Sequence, residues 1–163
     1  MPKPASAAAA PGTPAPSLFS HSGSLAQNLV EAYLTVRDET ERRAAPLSPE
    51  DQLIQSMTDA SPAKWHRAHT TWFFEQFLLG EHCEGYRPFH PDYAYLFNSY
   101  YVSAGPRHAR HQRGHLTRPS ADEVTAYRRH VDAAVVKFFQ TANEKTLAEL
   151  VPGRVLHSGQ GTD

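Results

Sequence analysis

Cysteine is nearly absent. Cys83 stands alone in 163 residues, which excludes an internal disulfide and any Cys-x-x-Cys motif and fits a reducing cytoplasm. Long hydrophobic runs are missing too: no stretch approaches the ~20 apolar residues of a membrane-spanning helix. Ala7-Ala8-Ala9-Ala10 falls short of the roughly 7–15 apolar residues of a signal peptide. Neither sign of charge dominates, with 16 Lys and Arg against 17 Asp and Glu, so electrostatics make no case for nucleic acid. The chain also lacks a Gly-rich phosphate loop, βαβ alternation, internal repeats and a His-Glu-x-x-His helix. The expectation is a cytoplasmic protein with no membrane or nucleic-acid partner.

What the chain has in excess is histidine, ten in all, which makes its net charge sensitive to mild acid. Its length suits one domain with a real core. Residues 1–22 are rich in Pro, Ala and Ser and cannot offset their ordering entropy, so they are expected to be disordered. Ser24, with Gln27 three residues on, starts a helix by a capping-box pattern. Its inward stripe is Leu25, Leu29, Tyr33 and Val36, and Arg37, Asp38, Glu41, Arg42 and Arg43 make a solvated face. Ser48-Pro49-Glu50-Asp51 begins a short helix with Leu53, Ile54 and Met57 on its apolar side.

Ser61-Pro62 then launches the central helix, with Ser61 as N-cap, running to about Leu79 and stopping at Gly80. At 100° per residue, Trp65, His69, Trp72, Phe73 and Gln76 share one face, so both tryptophans flank one imidazole. A histidine so placed is either a hydrogen-bonded core residue or a metal ligand, and a lone imidazole does not make a metal site. After a loop over 81–91, Tyr93, Leu96, Phe97, Tyr100 and Tyr101 recur at helical spacing. The loop from Gly105 to Pro119 carries Arg107, Arg110, Arg113 and Arg118. It is either a solvated run or an anion clamp, since the guanidinium fork matches a carboxylate. Ser120 and Glu123 open the most regular helix, with Val124, Tyr127, Val131, Val135, Phe138 and Ala142 inward and His130 on the surface. Leu147 and Leu150 begin a last helix that Val151-Pro152-Gly153 ends. The chain reads as an all-α helical bundle.

Several of these stretches together resemble one family. Ser48-Pro49-Glu50-Asp51-Gln52, Ser61-Pro62-Ala63-Lys64-Trp65-His66 and His69-Thr70-Thr71-Trp72-Phe73-Phe74-Glu75 are similar to the N-terminal domain of the ergothioneine biosynthesis sulfoxide synthases. Leu96-Phe97-Asn98-Ser99-Tyr100-Tyr101, Gly105-Pro106-Arg107-His108, Gln112-Arg113-Gly114, Arg118-Pro119-Ser120 and Tyr127-Arg128 continue the likeness in the same order. It spans roughly residues 25–150. That domain is DinB-like, a four-helix bundle with a metal on inward-facing histidines. The resemblance implies a non-haem iron(II) oxidoreductase that uses O₂ to join a cysteine-derived thiol to trimethylhistidine as a sulfoxide. It implies His69 as a metal ligand, and Arg107 and Arg110 as residues binding the carboxylate of the thiol substrate. It assigns no catalytic residue to this chain.

The departures from the family pattern matter as much. The two further imidazoles the family supplies from a His-Glu-x-x-His helix have no counterpart near Leu150, where only His157 occurs. His66, one turn before His69, and His157 are the two alternatives that would complete a site. The expectation is therefore an incomplete N-terminal domain: a DinB-like region 23–150 whose last metal-binding helix is incomplete or missing, then a tail 151–163 unlike the family. It is expected not to bind iron(II) tightly, to be inactive alone, and to self-associate through Trp65, Trp72 and Phe138 left uncovered. The competing readings are a stand-alone DinB-like metal- and thiol-dependent transferase and a non-catalytic binding bundle.

Overall fold

A computed structural model describes residues 23–151. The stretch 1–22, expected to be disordered, and the tail from 152 to 163, with His157, lie outside the described residues. Seven α-helices occur among the described residues: α1 (Leu25–Ala44), α2 (Pro49–Leu53), α3 (Ala63–Phe74), α4 (Gly80–His82), α5 (Tyr93–Leu96), α6 (Ala121–Thr141) and α7 (Glu144–Leu150). No strand is formed among them, and no helix is long and apolar enough to cross a membrane. The fold is all-α, as the periodicity predicts.

Local chemistry starts the helices where the sequence places them. Ser24 with Gln27, Ser48 with Asp51 and Ser120 with Glu123 each close a capping box, so two orphan backbone donors are satisfied reciprocally at each start. Helix α3 starts differently from these three. Its N-cap is Pro62 rather than Ser61, and no side chain caps it. The Ser61 hydroxyl instead accepts a hydrogen bond from Arg113 Nη1 at 2.8 Å.

Gly80 does not end the central helix. A π turn over Glu75–Leu79 joins α3 to α4, and the Gly80 N–H donates to the Glu75 carbonyl five residues back. A Cβ on Gly80 would lie 3.2 Å from that oxygen, so the glycine serves a close approach inside a continuing helix. The widened turn also points the Glu75 side chain inward. Its buried carboxylate accepts from Tyr127 Oη at 2.6 Å, Tyr86 Oη at 2.8 Å and the Phe89 N–H at 3.0 Å, pinning the loop after α4 to α6.

Helices α1, α3 and α6 form the core, with α7 closing one side. Leu29, Tyr33, Trp65, Trp72, Val124, Tyr127, Val131, Val135, Phe138, Leu147 and Leu150 are all buried. The expectation that Trp65, Trp72 and Phe138 stand uncovered is overturned: their exposures are 3%, 0% and 7%. What covers the tryptophans is the short-helix segment from Tyr93 to Leu116, tied down by side-chain hydrogen bonds.

The charged face of α1 also differs from its reading as solvated. Arg37 is buried and Val36 is exposed, because the stripe that meets α3 and α6 falls one residue later. Arg37 Nε donates to Asp132 at 2.7 Å and its Nη2 donates to Thr71 Oγ1 at 2.6 Å. Glu41 accepts from Arg67 at 2.6 Å and from Arg128 at 2.6 Å, both guanidinium groups being buried. Likewise Ile54 and Met57 are exposed, since α2 ends at Leu53.

Candidate functional site

Helix α5 is a single turn, so the carbonyls after Tyr93 have no helical successors to bond them. Side chains from α3 and from the arginine loop fill that role. Trp72 Nε1 donates to the Ala94 carbonyl at 3.2 Å and Trp65 Nε1 to that of Leu96 at 2.9 Å. His69 Nδ1 meets the Phe97 carbonyl at 2.7 Å, Arg113 Nη2 donates to that of Asn98 at 3.4 Å, and Arg107 Nη1 to that of Ser99 at 3.0 Å. The row of acceptors from 94 to 99 thus gathers one face of α3 and the arginine loop onto one segment.

The His69 ring lies between the two indoles, stacked at 4.8 Å from Trp65 (16° between planes) and 5.4 Å from Trp72 (20°). Burial pushes its pKa down to about 4. The Phe97 carbonyl works against that shift, and the charge of Arg113 adds to it. The ring is therefore neutral near pH 7. A carbonyl can only accept, so the proton sits on Nδ1 and the lone pair on Nε2. Nε2 has no hydrogen-bond partner among the described residues. An imidazole whose Nδ1–H is fixed by a backbone carbonyl is oriented as a ligand through Nε2.

Arg107 and Arg110 are both exposed. Arg107 holds Ser99, two residues along from the carbonyl that holds His69, so the two acceptors lie within about 7 Å of chain. Arg110 lies over the Tyr100 ring at 5.6 Å. Among the described residues no ion pair joins Arg107, Arg110 or Arg113 to a carboxylate. His69, Arg107 and Arg110 thus each touch one segment of chain, at Phe97, Ser99 and Tyr100. His66 is exposed and edge-on to Trp65 at 5.6 Å.

Three residues in this region carry more than the sequence reading gave them. Asn98 is fully buried. Its Nδ2 donates to the carbonyls of Tyr101 at 3.1 Å and Gly105 at 3.0 Å, and its Oδ1 accepts from the Tyr101 N–H at 3.2 Å. Gly105 sits at φ 95°, a conformation few other residues adopt, and this turns the chain into the arginine loop. Gln55 fixes the far side of the loop: its Oε1 accepts from the Gly114 N–H at 2.7 Å and its Nε2 donates to the Arg110 carbonyl at 2.9 Å. A Cβ on Gly114 would fall 2.7 Å from Gln55 Cβ, so the Arg113-Gly114 pair has a steric meaning. The third residue, Arg113, is buried against Trp65. The sequence signals were a lone amide within an aromatic stretch and a glycine following an arginine.

The donor set among the described residues does not fit a complete iron site. Among the described residues no three His, Cys, Asp or Glu side chains converge, and His69 is one imidazole. Iron(II) in a site of this kind needs three protein ligands with open positions.

No curated protein sequence matches the chain. A family model described as the DinB superfamily matches residues 32–161, which include α3, the arginine loop, α6 and α7. With an all-α bundle whose central helix carries an inward imidazole, and a match over more than half its length, the chain belongs to the DinB superfamily.

Proposed function

We propose that this chain is a DinB-like helical domain of the ergothioneine sulfoxide synthase kind. Its share in that chemistry is to bind a cysteine-derived thiol by its carboxylate and to present the His69 imidazole beside it. The observation that carries this reading is a neutral, oriented imidazole and two exposed guanidinium groups, without an acidic partner among the described residues, each touching the segment 97–101. A carboxylate engaging Arg107 and Arg110 would find charge-assisted donors not already taken by Asp or Glu. The Ser99 carbonyl, a neutral acceptor, is readily exchanged for an anion. Trimethylhistidine is a betaine, and its quaternary ammonium finds no counter-charge in this basic rim.

Iron belongs to this reading as the family's cofactor, and it would supply oxygen activation in a complete enzyme. The residues described here supply one imidazole toward it. The part assigned to this chain is accordingly binding and orientation.

Calorimetric titration of the chain with γ-glutamylcysteine tests the reading. Binding is expected to be weak, and Arg107→Ala and Arg110→Ala are each expected to lower the affinity about 5- to 20-fold, as loss of a charged hydrogen bond worth roughly 1–2 kcal/mol does. Affinity for the thiol unaffected by both substitutions would overturn the clamp.

A further inference from the structure

Arg113 is a charge without an evident reason. It is 3% exposed, has no carboxylate partner among the described residues, and its Nε is buried with no hydrogen-bond acceptor. Burial pushes its pKa down to about 10, and the nearby Arg110 and Arg107 charges add to the shift. A buried guanidinium left partly unsatisfied costs stability, so an apolar side chain would serve the core better.

Its position accounts for it. The guanidinium carbon lies 3.5 Å from the centroid of the Trp65 ring, whose far face carries the His69 imidazole, with Trp72 beyond that. Four flat groups are therefore stacked in one column: guanidinium, indole, imidazole, indole. Arg113 also donates to Ser61 Oγ just before α3 and to the Asn98 carbonyl, next in the chain to the Phe97 carbonyl that holds His69 Nδ1. The contacts close on themselves, running from Arg113 to Trp65, to His69, to Phe97, to Asn98 and back to Arg113.

We propose that Arg113 is a positioning residue for His69, clamping Trp65 from outside so that the imidazole stays stacked with Nδ1 on the Phe97 carbonyl and Nε2 presented. The cation's attraction for the indole face fixes the ring that forms one wall of the imidazole slot. The planar fork reaches Ser61 and Asn98 while its carbon sits 3.5 Å over the ring, which an ammonium on a flexible stem cannot do. Removing Arg113 opens the circuit at two points. The imidazole is then free to turn and to exchange its proton between the two nitrogens. The inference rests on reading His69 as the functional imidazole.

The test is histidine ring NMR on the full chain, comparing wild type with Arg113→Met and Arg113→Lys. In wild type the His69 ring protons should be shifted upfield of the other histidines by the two indoles, and the ring ¹⁵N shifts should report a single Nδ1–H tautomer. Both variants should lose much of the upfield shift and show a mixture of tautomers. Should Arg113→Met fail to fold, Arg113→Lys, which keeps the charge, carries the comparison. A merely structural Arg113 would lower the melting temperature and leave the tautomer untouched. Unchanged His69 ring shifts in a folded variant overturn the proposal. Added Co(II) separates this from the functional reading. Failure to broaden the His69 resonances in wild type would count against His69 as a ligand and leave the positioning result standing.

Discussion

His69 is held neutral by its surroundings, and that has a measurable consequence for acid stability. Its pKa is about 4 in the folded protein against an ordinary value of 6.5, because burial between indoles removes the water a cation needs. Between those two values the unfolded chain binds more protons than the folded one, so stability rises with pH. The contribution is whole above about pH 6.5 and is lost as pH falls toward 4. At about 1.4 kcal/mol per unit it amounts to on the order of 3 kcal/mol. An NMR titration should find His69 uncharged at pH 5.5, where a free imidazole is mostly protonated. A midpoint near 6.5 would mean the ring is not held in the slot. The flanking of His69 by Trp65 and Trp72 is legible in the sequence because 3.6-residue periodicity alone sets it. The hydrogen bond to the Phe97 carbonyl is not, because it depends on a chain segment folding back from 28 residues away.

At the scale of elements, the capping boxes and the stripe of α6 are readable because each is a local rule. The buried charges of α1 are not. Arg37 follows the rule for a solvated face until α6 supplies Asp132 and α3 supplies Thr71, and these partners come from far along the chain. Glu41 joins the three long helices by accepting from Arg67 on α3 and Arg128 on α6. Partial burial raises its pKa, yet the Arg67 hydrogen bond and the Arg128 and Arg37 charges outweigh this and hold it below the usual carboxylate range. Its stabilising effect is therefore present above the ordinary carboxylate value and lost as pH falls through the folded one. Glu41→Gln should destabilise the protein by roughly 2–3 kcal/mol, less than the ~3–5 for breaking a fully buried pair, because water reaches Glu41. Urea unfolding at pH 7 measures it, and a loss under about 0.5 kcal/mol, typical of surface substitutions, would show that the network is not holding the helices. Gly80 gives the complementary lesson. A glycine after an apolar run looks like a helix stop, but the π turn reuses it for close backbone contact.

The whole molecule has two parts joined by both tryptophans. One is the bundle of α1, α3, α6 and α7. The other is the segment from Tyr93 to Leu116, which has only short pieces of helix and is held by side chains more than by its own backbone. A reading from periodicity finds the first part and in the second only helical spacing from Tyr93 to Tyr101, of which α5 keeps one turn, because nothing local marks carbonyls that α3 will cap. Burying an aromatic side chain removes roughly 150–250 Å² from water, worth about 4–6 kcal/mol, so the bundle gains much of its stability only when this segment covers Trp65 and Trp72. The two parts should therefore unfold together. Tryptophan fluorescence reports the seam and far-UV circular dichroism reports the helices, and their thermal transitions are expected to coincide. Asn98→Ala removes the amide that ties Tyr101 and Gly105 to the segment, at a cost of about 1–3 kcal/mol for buried groups left unpaired. In that variant the fluorescence transition should move to lower temperature ahead of the helical signal, because the cover loosens before the bundle melts. Separate transitions already present in wild type would mean that the segment does not hold the core. Coincident transitions in Asn98→Ala would mean that the cover is fixed by α3 alone.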